Sequence, residues 1–259
     1  MKRVSFIKPL VYAALVIGLL SIVPASAQSV IKPSVPVGKC FFHGSPSCGK
    51  SIAVFGGSLS SVPESDAAKT IWADMLGSEV TTYGVGGAGF SSQQGHSLQQ
   101  QVDEAGVHDI YVLWASTNDY VNNRPCGSWT DYTEYDNYNP EALVTQCGGI
   151  NYCIRRLLEI NPKADIVFFT SFRFFGREDG WNPYSLAHNA TGLNFAQYVE
   201  AQKQCCAHYG IPVLDQFSLQ GISPFNVEQY YLPDKLHMQR SGYEKTAVMQ
   251  AYFLAGSRQ

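Results

Sequence analysis

From Ser51 onward, short apolar runs alternate with stretches whose apolar positions recur every three or four residues. The runs are Ile52 to Phe55, Val80 to Tyr83, Ile110 to Trp114, Ile166 to Thr170 and Ile211 to Leu214. Each is short, continuous and bounded by Gly, Asp, Asn or Pro, as expected of strands buried on both faces of a parallel sheet. After the first run, Pro63 and Glu64 open a stretch that spaces Ala68, Ile71, Trp72 and Met75 along one face and stops at Gly77, which predicts a helix. Near the C-terminus, Ser241 and Glu244 form a capping-box pattern, Tyr243, Ala247, Val248 and Ala251 share one side, and Gly256 marks the end. Five strand–helix units in series predict one three-layer α/β domain over residues 51–259, on a five-stranded parallel sheet. Residues 28–50, with three prolines, read as a lead-in.

The first segment has a different pattern. Lys2, Arg3 and Lys8 precede the apolar run Leu10 to Leu20, and Ala25-Ser26-Ala27 then supplies small residues at the offset for signal peptidase. A membrane-spanning helix needs ~20 apolar residues, about twice this run before Ser21 and Pro24 interrupt it. Residues 1–27 are therefore expected to be a Sec signal peptide, which implies export to a periplasm or beyond. No Leu-x-x-Cys site stands at the cleavage point, so no lipid or membrane anchor is expected afterwards.

Charge and cysteines narrow the partners. Lys plus Arg total 18 against 21 for Asp plus Glu, and removal of the leader leaves 15 basic against 21 acidic side chains, a net charge of −6. Nucleic acid is not an expected partner of such a chain. Of seven cysteines, spacing suggests disulfides Cys40 with Cys48 and Cys126 with Cys147, and an odd count leaves at least one thiol over. There is no Cys-x-x-Cys pair and the six His are scattered, so no metal site is expected.

In an open parallel sheet, ligands bind outside the carboxyl ends of the strands, and four such ends carry chemistry here. Gly56-Gly57-Ser58 after the first run permits a tight turn exposing the Ser58 hydroxyl, as a nucleophile requires, although Ser is equally a common helix cap. Gly84-Val85-Gly86-Gly87-Ala88-Gly89 after the second matches the dinucleotide pattern G-x-G-x-x-G, with Asp103 and Glu104 about twenty residues on. It falls on the second strand–helix unit rather than the first, and its other use is to bring a backbone N–H close to a substrate oxygen. After the third run, Ser116-Thr117-Asn118-Asp119 offers the Asn118 amide to an oxyanion, or forms a simple Asx turn. Before the last helix, Asp234 and His237 are three residues apart on one connection, which lets a carboxylate orient an imidazole.

All four in this order resemble the SGNH/GDSL hydrolase superfamily, across residues 51 to 256. That family carries a Gly-Asp-Ser block, a block with an oxyanion Gly, a Gly-x-Asn-Asp block and a final Asp-x-x-His block on a flavodoxin-like α/β/α fold. The matching positions are Gly56-Gly57-Ser58, Gly86 within Gly84 to Ser91, Ser116-Thr117-Asn118-Asp119, and Asp234 to His237. Gly57 stands where the family has Asp, and Gly84 where it often has Asn. The resemblance implies a serine esterase with Ser58, His237 and Asp234 as triad, the Ser58 and Gly86 N–H groups and the Asn118 amide as oxyanion hole, and no metal or cofactor. Substrate choice is expected from two aromatic-rich loops. One carries Trp129, Tyr132, Tyr135 and Tyr138, and the other Phe172, Phe174, Phe175, Trp181 and Tyr184, either stacked on sugar rings or packed on the domain. A carbohydrate O-acyl ester is the first expectation for the substrate. A weak relative that only binds acylated glycans and a lipase or thioesterase are the alternatives.

Overall fold

The apolar runs have no polar face, so as strands they must be covered on both sides. In the computed structural model, which describes residues 29–175 and 187–256, they are. The strands are β1 Ser29–Ile31, β2 Ile52–Gly56, β3 Val80–Thr82, β4 Ile110–Trp114, β5 Asp165–Phe169 and β6 Val213–Leu214. The helices are α1 Ser58–Ser61, α2 Asp66–Leu76, α3 Leu98–Asp103, α4 Asn118–Val121, α5 Gln146–Ile160, α6 Phe195–His208, α7 Gln216–Leu219 and α8 Arg240–Gly256. Side chains alternate across the sheet as the pleat requires. Ile52, Val54, Val112, Trp114, Val167 and Phe169 face α2 and α8. Ala53, Phe55, Tyr111, Leu113, Ile166 and Phe168 face α3, α5 and α6.

The sheet order is β1-β3-β2-β4-β5-β6. The five expected strands run parallel, in register from Ile52↔Val80 and Ile52↔Ile110 outward. The expected five-stranded parallel sheet is nevertheless a six-stranded mixed one, because part of the lead-in adds β1 antiparallel to β3, with Ser29 opposite Thr82 and Ile31 opposite Val80. A three-residue edge strand has no run or alternation long enough to be read in advance. Its backbone closes the edge that β3 would otherwise leave open. The order of the parallel strands reverses between β2 and β4, and this switch point opens the crevice where Ser58 and Asn118 lie.

Local details follow from single residues. Helix α2 ends at Gly77, whose φ of +62° is left-handed. Strand β6 is shorter than the Ile211 to Leu214 run because Pro212 has no N–H to give the ladder, although its carbonyl accepts from the Phe168 N–H at 3.0 Å. The last helix starts at Arg240, so Ser241 lies inside its first turn and donates to the Gln229 carbonyl at 2.7 Å instead of capping. Tyr243, Ala247 and Ala251 are buried as expected, whereas Val248 is 45% exposed. The expected signal peptide and the rings of Trp181 and Tyr184 lie outside the described residues.

All seven cysteines are free thiols. Both expected pairs are neighbours: the Cys40 and Cys48 sulfurs are 3.1 Å apart, and the Cys126 and Cys147 thiols hydrogen-bond. A disulfide needs ~2.05 Å between sulfurs, so the expected bonds are not present.

Candidate active site

Strand β2 ends at Gly56, extended Gly57 follows, and Ser58 begins α1. Three buried side chains hold this turn from below. The Gln101 carboxamide pairs with Gly56 as a strand would, accepting its N–H at 2.9 Å and donating to its carbonyl at 3.0 Å. The Ser60 hydroxyl donates to the Gly57 carbonyl at 3.0 Å. The buried Lys69 ammonium donates to the Ser60 carbonyl at 2.9 Å and the Thr82 hydroxyl at 3.2 Å, and pairs with Asp66 at 2.7 Å. Burial pulls the Lys69 ammonium below its usual range, and Asp66 opposes that shift.

On the far side of the crevice, the chain from Tyr231 to Met238 folds into a tight turn in which the Leu232 N–H donates to the His237 carbonyl at 2.8 Å. Asp234 Oδ1 accepts the Leu236 and His237 N–H groups at 3.0 Å each, leaving Oδ2 for His237 Nδ1 at 2.6 Å. The carboxylate only accepts, so Nδ1 carries the proton and Nε2 accepts from the Ser58 hydroxyl at 3.0 Å. Residues 179 positions apart are thus joined in one hydrogen-bonded chain, with the imidazole and carboxylate about a quarter exposed. Burial raises the Asp234 carboxyl, but the His237 imidazole and the two backbone N–H groups outweigh it and hold the group below the usual carboxylate range.

A depressed carboxyl stabilises the fold fully above its unfolded value of ~3.9, and that contribution is lost as pH falls through the lower folded value. Asp234→Asn is therefore expected to melt below the parent at pH 5, with the gap closing as pH approaches 2. A gap that stayed constant in thermal melts across that range would contradict the assignment.

The other two strand ends complete the crevice. After β3, the Val85 N–H reaches back to the Gly56 carbonyl, and Gly86 and Gly87 are exposed. Among the described residues, the N–H groups of Ser58 and Gly86 have no hydrogen-bond partner. After β4, the Asn118 amide donates to the Ala88 carbonyl at 2.8 Å, and the Ser116 hydroxyl donates to the same carbonyl at 2.7 Å. Buried Asp119 accepts the Phe90 and Ser91 N–H groups at 2.7 and 3.0 Å, which ties α4 to the loop carrying Gly86. Burial raises the Asp119 carboxyl and those two donors oppose the shift. A Cβ on Gly57 would lie 2.7 Å from the Ala88 carbonyl oxygen and the Ser116 Cβ, and 2.8 Å from the Asn118 amide nitrogen. The Asp that the family pattern has at this position would find no room here.

A family model described as the GDSL-like lipase/acylhydrolase family matches residues 49–245, about three quarters of the sequence. The chain belongs to the GDSL-like lipase/acylhydrolase family. It is accordingly a serine hydrolase acting on ester bonds. No curated protein matches the chain. Among solved structures, one is similar at 28% identity with a TM-score of 0.71, covering 81% of this chain and 98% of its own. Two more share the GDSL-like fold at lower identity. A possible lipase from Chitinophaga pinensis superposes with a TM-score of 0.61 at 19% identity, covering 79% of this chain and 97% of its own. The lipase/acylhydrolase from Enterococcus faecalis does so with 0.54 at 16% identity, covering 80% and 96%.

Two alternatives left open by the sequence are decided by the tertiary structure of this family member. The dinucleotide pattern at Gly84 to Gly89 does not open a helix, since α3 begins only at Leu98, and Asp103 is engaged by Arg156 and Tyr152 at about 3 Å. The aromatic loops do not present the described rings to Ser58. Trp129 and Tyr135 pack on His208, the last residue of α6, and Tyr132 and Tyr138 pack beside Arg155 far along α5. Both helices run antiparallel to the strands, so these rings lie toward the N-terminal ends of the strands, opposite the crevice. Phe172, Phe174 and Phe175 are buried. Rings of this size gain more from burial on the domain than from waiting exposed in a loop.

Conversely, Gln101 and Lys69 had not been singled out as site residues. Their signal was positional: Lys69 shares a helical face with Trp72 and Ala73, and Gln101 shares one with Leu98 and Val102, all buried. A polar residue at a core position must find a partner. Here that partner is the turn that carries Ser58.

Proposed function

We infer that the chain is an exported serine esterase that removes small acyl groups through a Ser58–His237–Asp234 triad, the acylated alcohol being a carbohydrate in our first reading. The observation that carries it is the hydrogen-bonded chain from Ser58 through His237 to Asp234, next to two backbone N–H groups that have no partner among the described residues. His237 Nε2 takes the Ser58 proton as Oγ attacks the ester carbonyl, and Asp234 holds the imidazolium that forms. The tetrahedral oxyanion accepts from the Ser58 and Gly86 N–H groups and the Asn118 amide. His237 returns the proton to the departing alcohol, and a water then releases the acyl group by the same route. The carbohydrate part rests on the leader-like segment and the expected export, since the rings of the first aromatic loop lie elsewhere.

Loss of one oxyanion donor typically costs ~3 kcal/mol of barrier, so Asn118→Ala is expected to lower kcat about a hundredfold. Unchanged turnover would remove Asn118 from the oxyanion hole. The function itself is tested by intact mass of the native protein after exposure to a fluorophosphonate, with p-nitrophenyl acetate hydrolysis alongside and acetylated sugars next. One adduct on Ser58 together with turnover is expected. A folded protein with neither would be a binding protein instead.

A further inference from the structure

In the family pattern a side chain precedes the nucleophile and Gly opens the Gly-x-Asn-Asp block. This chain has the reverse, Gly57 and Ser116. The two departures meet in space, because the Ser116 Cβ occupies the volume that a side chain on residue 57 would enter, 2.7 Å from its ideal Cβ. Ser116 is also buried, 3% exposed, and its hydroxyl is fully engaged. Its proton goes to the Ala88 carbonyl at 2.7 Å, so it faces Asn118 as an acceptor, of the backbone N–H at 3.3 Å and the side-chain amide at 3.2 Å.

We propose that Ser116 is a positioning residue for the oxyanion amide, a role it holds because Gly57 leaves it the space. The proposal rests on the esterase reading above. An Asn side chain can present either its nitrogen or its oxygen to a given neighbour. The Ala88 carbonyl and the Ser116 oxygen, both acceptors on the side facing Asn118, admit only the nitrogen. One amide hydrogen is held by those two oxygens, and the second is left for the substrate oxyanion. Asn118 Oδ1 is thereby kept away from the developing negative charge, where it would repel. Residue 57 enters through volume alone: any side chain there presses on all three members of the cluster at once.

Kinetics in two backgrounds test the role. Ser116→Ala keeps Cβ and removes the hydroxyl, and it is expected to lower kcat about tenfold with KM within twofold. In an Asn118→Ala background the same change is expected to alter kcat less than twofold, because a residue that acts through Asn118 has nothing left to act on. Equal losses in both backgrounds, or no loss in either, would overturn the proposal. The spatial half is read without activity, from thermal unfolding of Gly57→Ala, Ser116→Gly and the double variant. The double variant is expected to melt higher than the two single shifts sum to, and strict additivity would show that the two positions do not share that volume. Failure of the esterase reading is recognised separately: a wild type that neither takes the fluorophosphonate nor hydrolyses the ester overturns that reading and the positioning role with it.

Discussion

Ser58→Ala is expected to lower kcat by at least about 10⁴-fold while leaving KM and the thermal midpoint close to those of the wild type. Among the described residues, the hydroxyl is the group in the crevice placed to attack a carbonyl with its proton already directed at an acceptor, His237 Nε2 at 3.0 Å. Removing a nucleophile typically leaves only the residual rate supplied by oxyanion donors and binding. The methyl group of Ala fits the space vacated, and Ser58 belongs to a short helix held by Gln101, Ser60 and Lys69 rather than by its own side chain, so the fold loses one hydrogen bond. His237→Ala is expected to cost about as much, and the double variant little more than either alone, since the two residues act as one unit. Steady-state kinetics on p-nitrophenyl acetate decide this. Turnover within tenfold of wild type in Ser58→Ala would mean that another group is the nucleophile.

Asp119→Ala is expected to have the largest effect on stability, about 3 kcal/mol, and to reduce turnover as well. The buried carboxyl is the sole hydrogen-bond acceptor for the Phe90 and Ser91 N–H groups among the described residues. Truncation orphans both donors in a dry site, at ~1–3 kcal/mol each. For a domain of this size, that corresponds to a fall of roughly 10 °C in the thermal midpoint. The loop released also carries Ala88, the acceptor for Asn118, and Gly86, so the groups proposed as oxyanion donors lose their placement along with the fold. Asp119→Asn retains one acceptor oxygen and is expected to lose about half as much. Thermal and urea unfolding give both figures, and a loss below 1 kcal/mol in Asp119→Ala would show that water replaces the carboxylate.

The positions of Ser58, Asn118, Asp234 and His237 were legible because each is local. A glycine turn, a polar knot and an Asp-x-x-His spacing all sit just past or before a recognisable element. The five parallel strands were legible for the same reason, since a run with no polar face can only be buried on both sides. Strand β1 was not, because three residues with Val30 half exposed carry no periodicity, and their partner β3 lies fifty positions away. The aromatic loops stayed ambiguous because ring content records burial as readily as recognition. Only the direction of α5 and α6 shows that Trp129, packed on His208, and Tyr138, packed on Arg155, lie remote from Ser58.

What the chain determines on its own is therefore the order of elements and the chemistry placed at their ends, both consequences of periodicity and turn preference over a few residues. Tertiary structure alone decided that Ser58 and His237, 179 positions apart, are joined by a hydrogen bond, and that Gln101 and Lys69 brace the turn at Ser58. It also decided that Gly57 and Ser116 exchange a volume between two adjacent strands. Those relations depend on distances of a few tenths of an ångström between segments remote in sequence. Hydrophobic patterning specifies which faces meet, and only close packing of the folded chain specifies which atoms do.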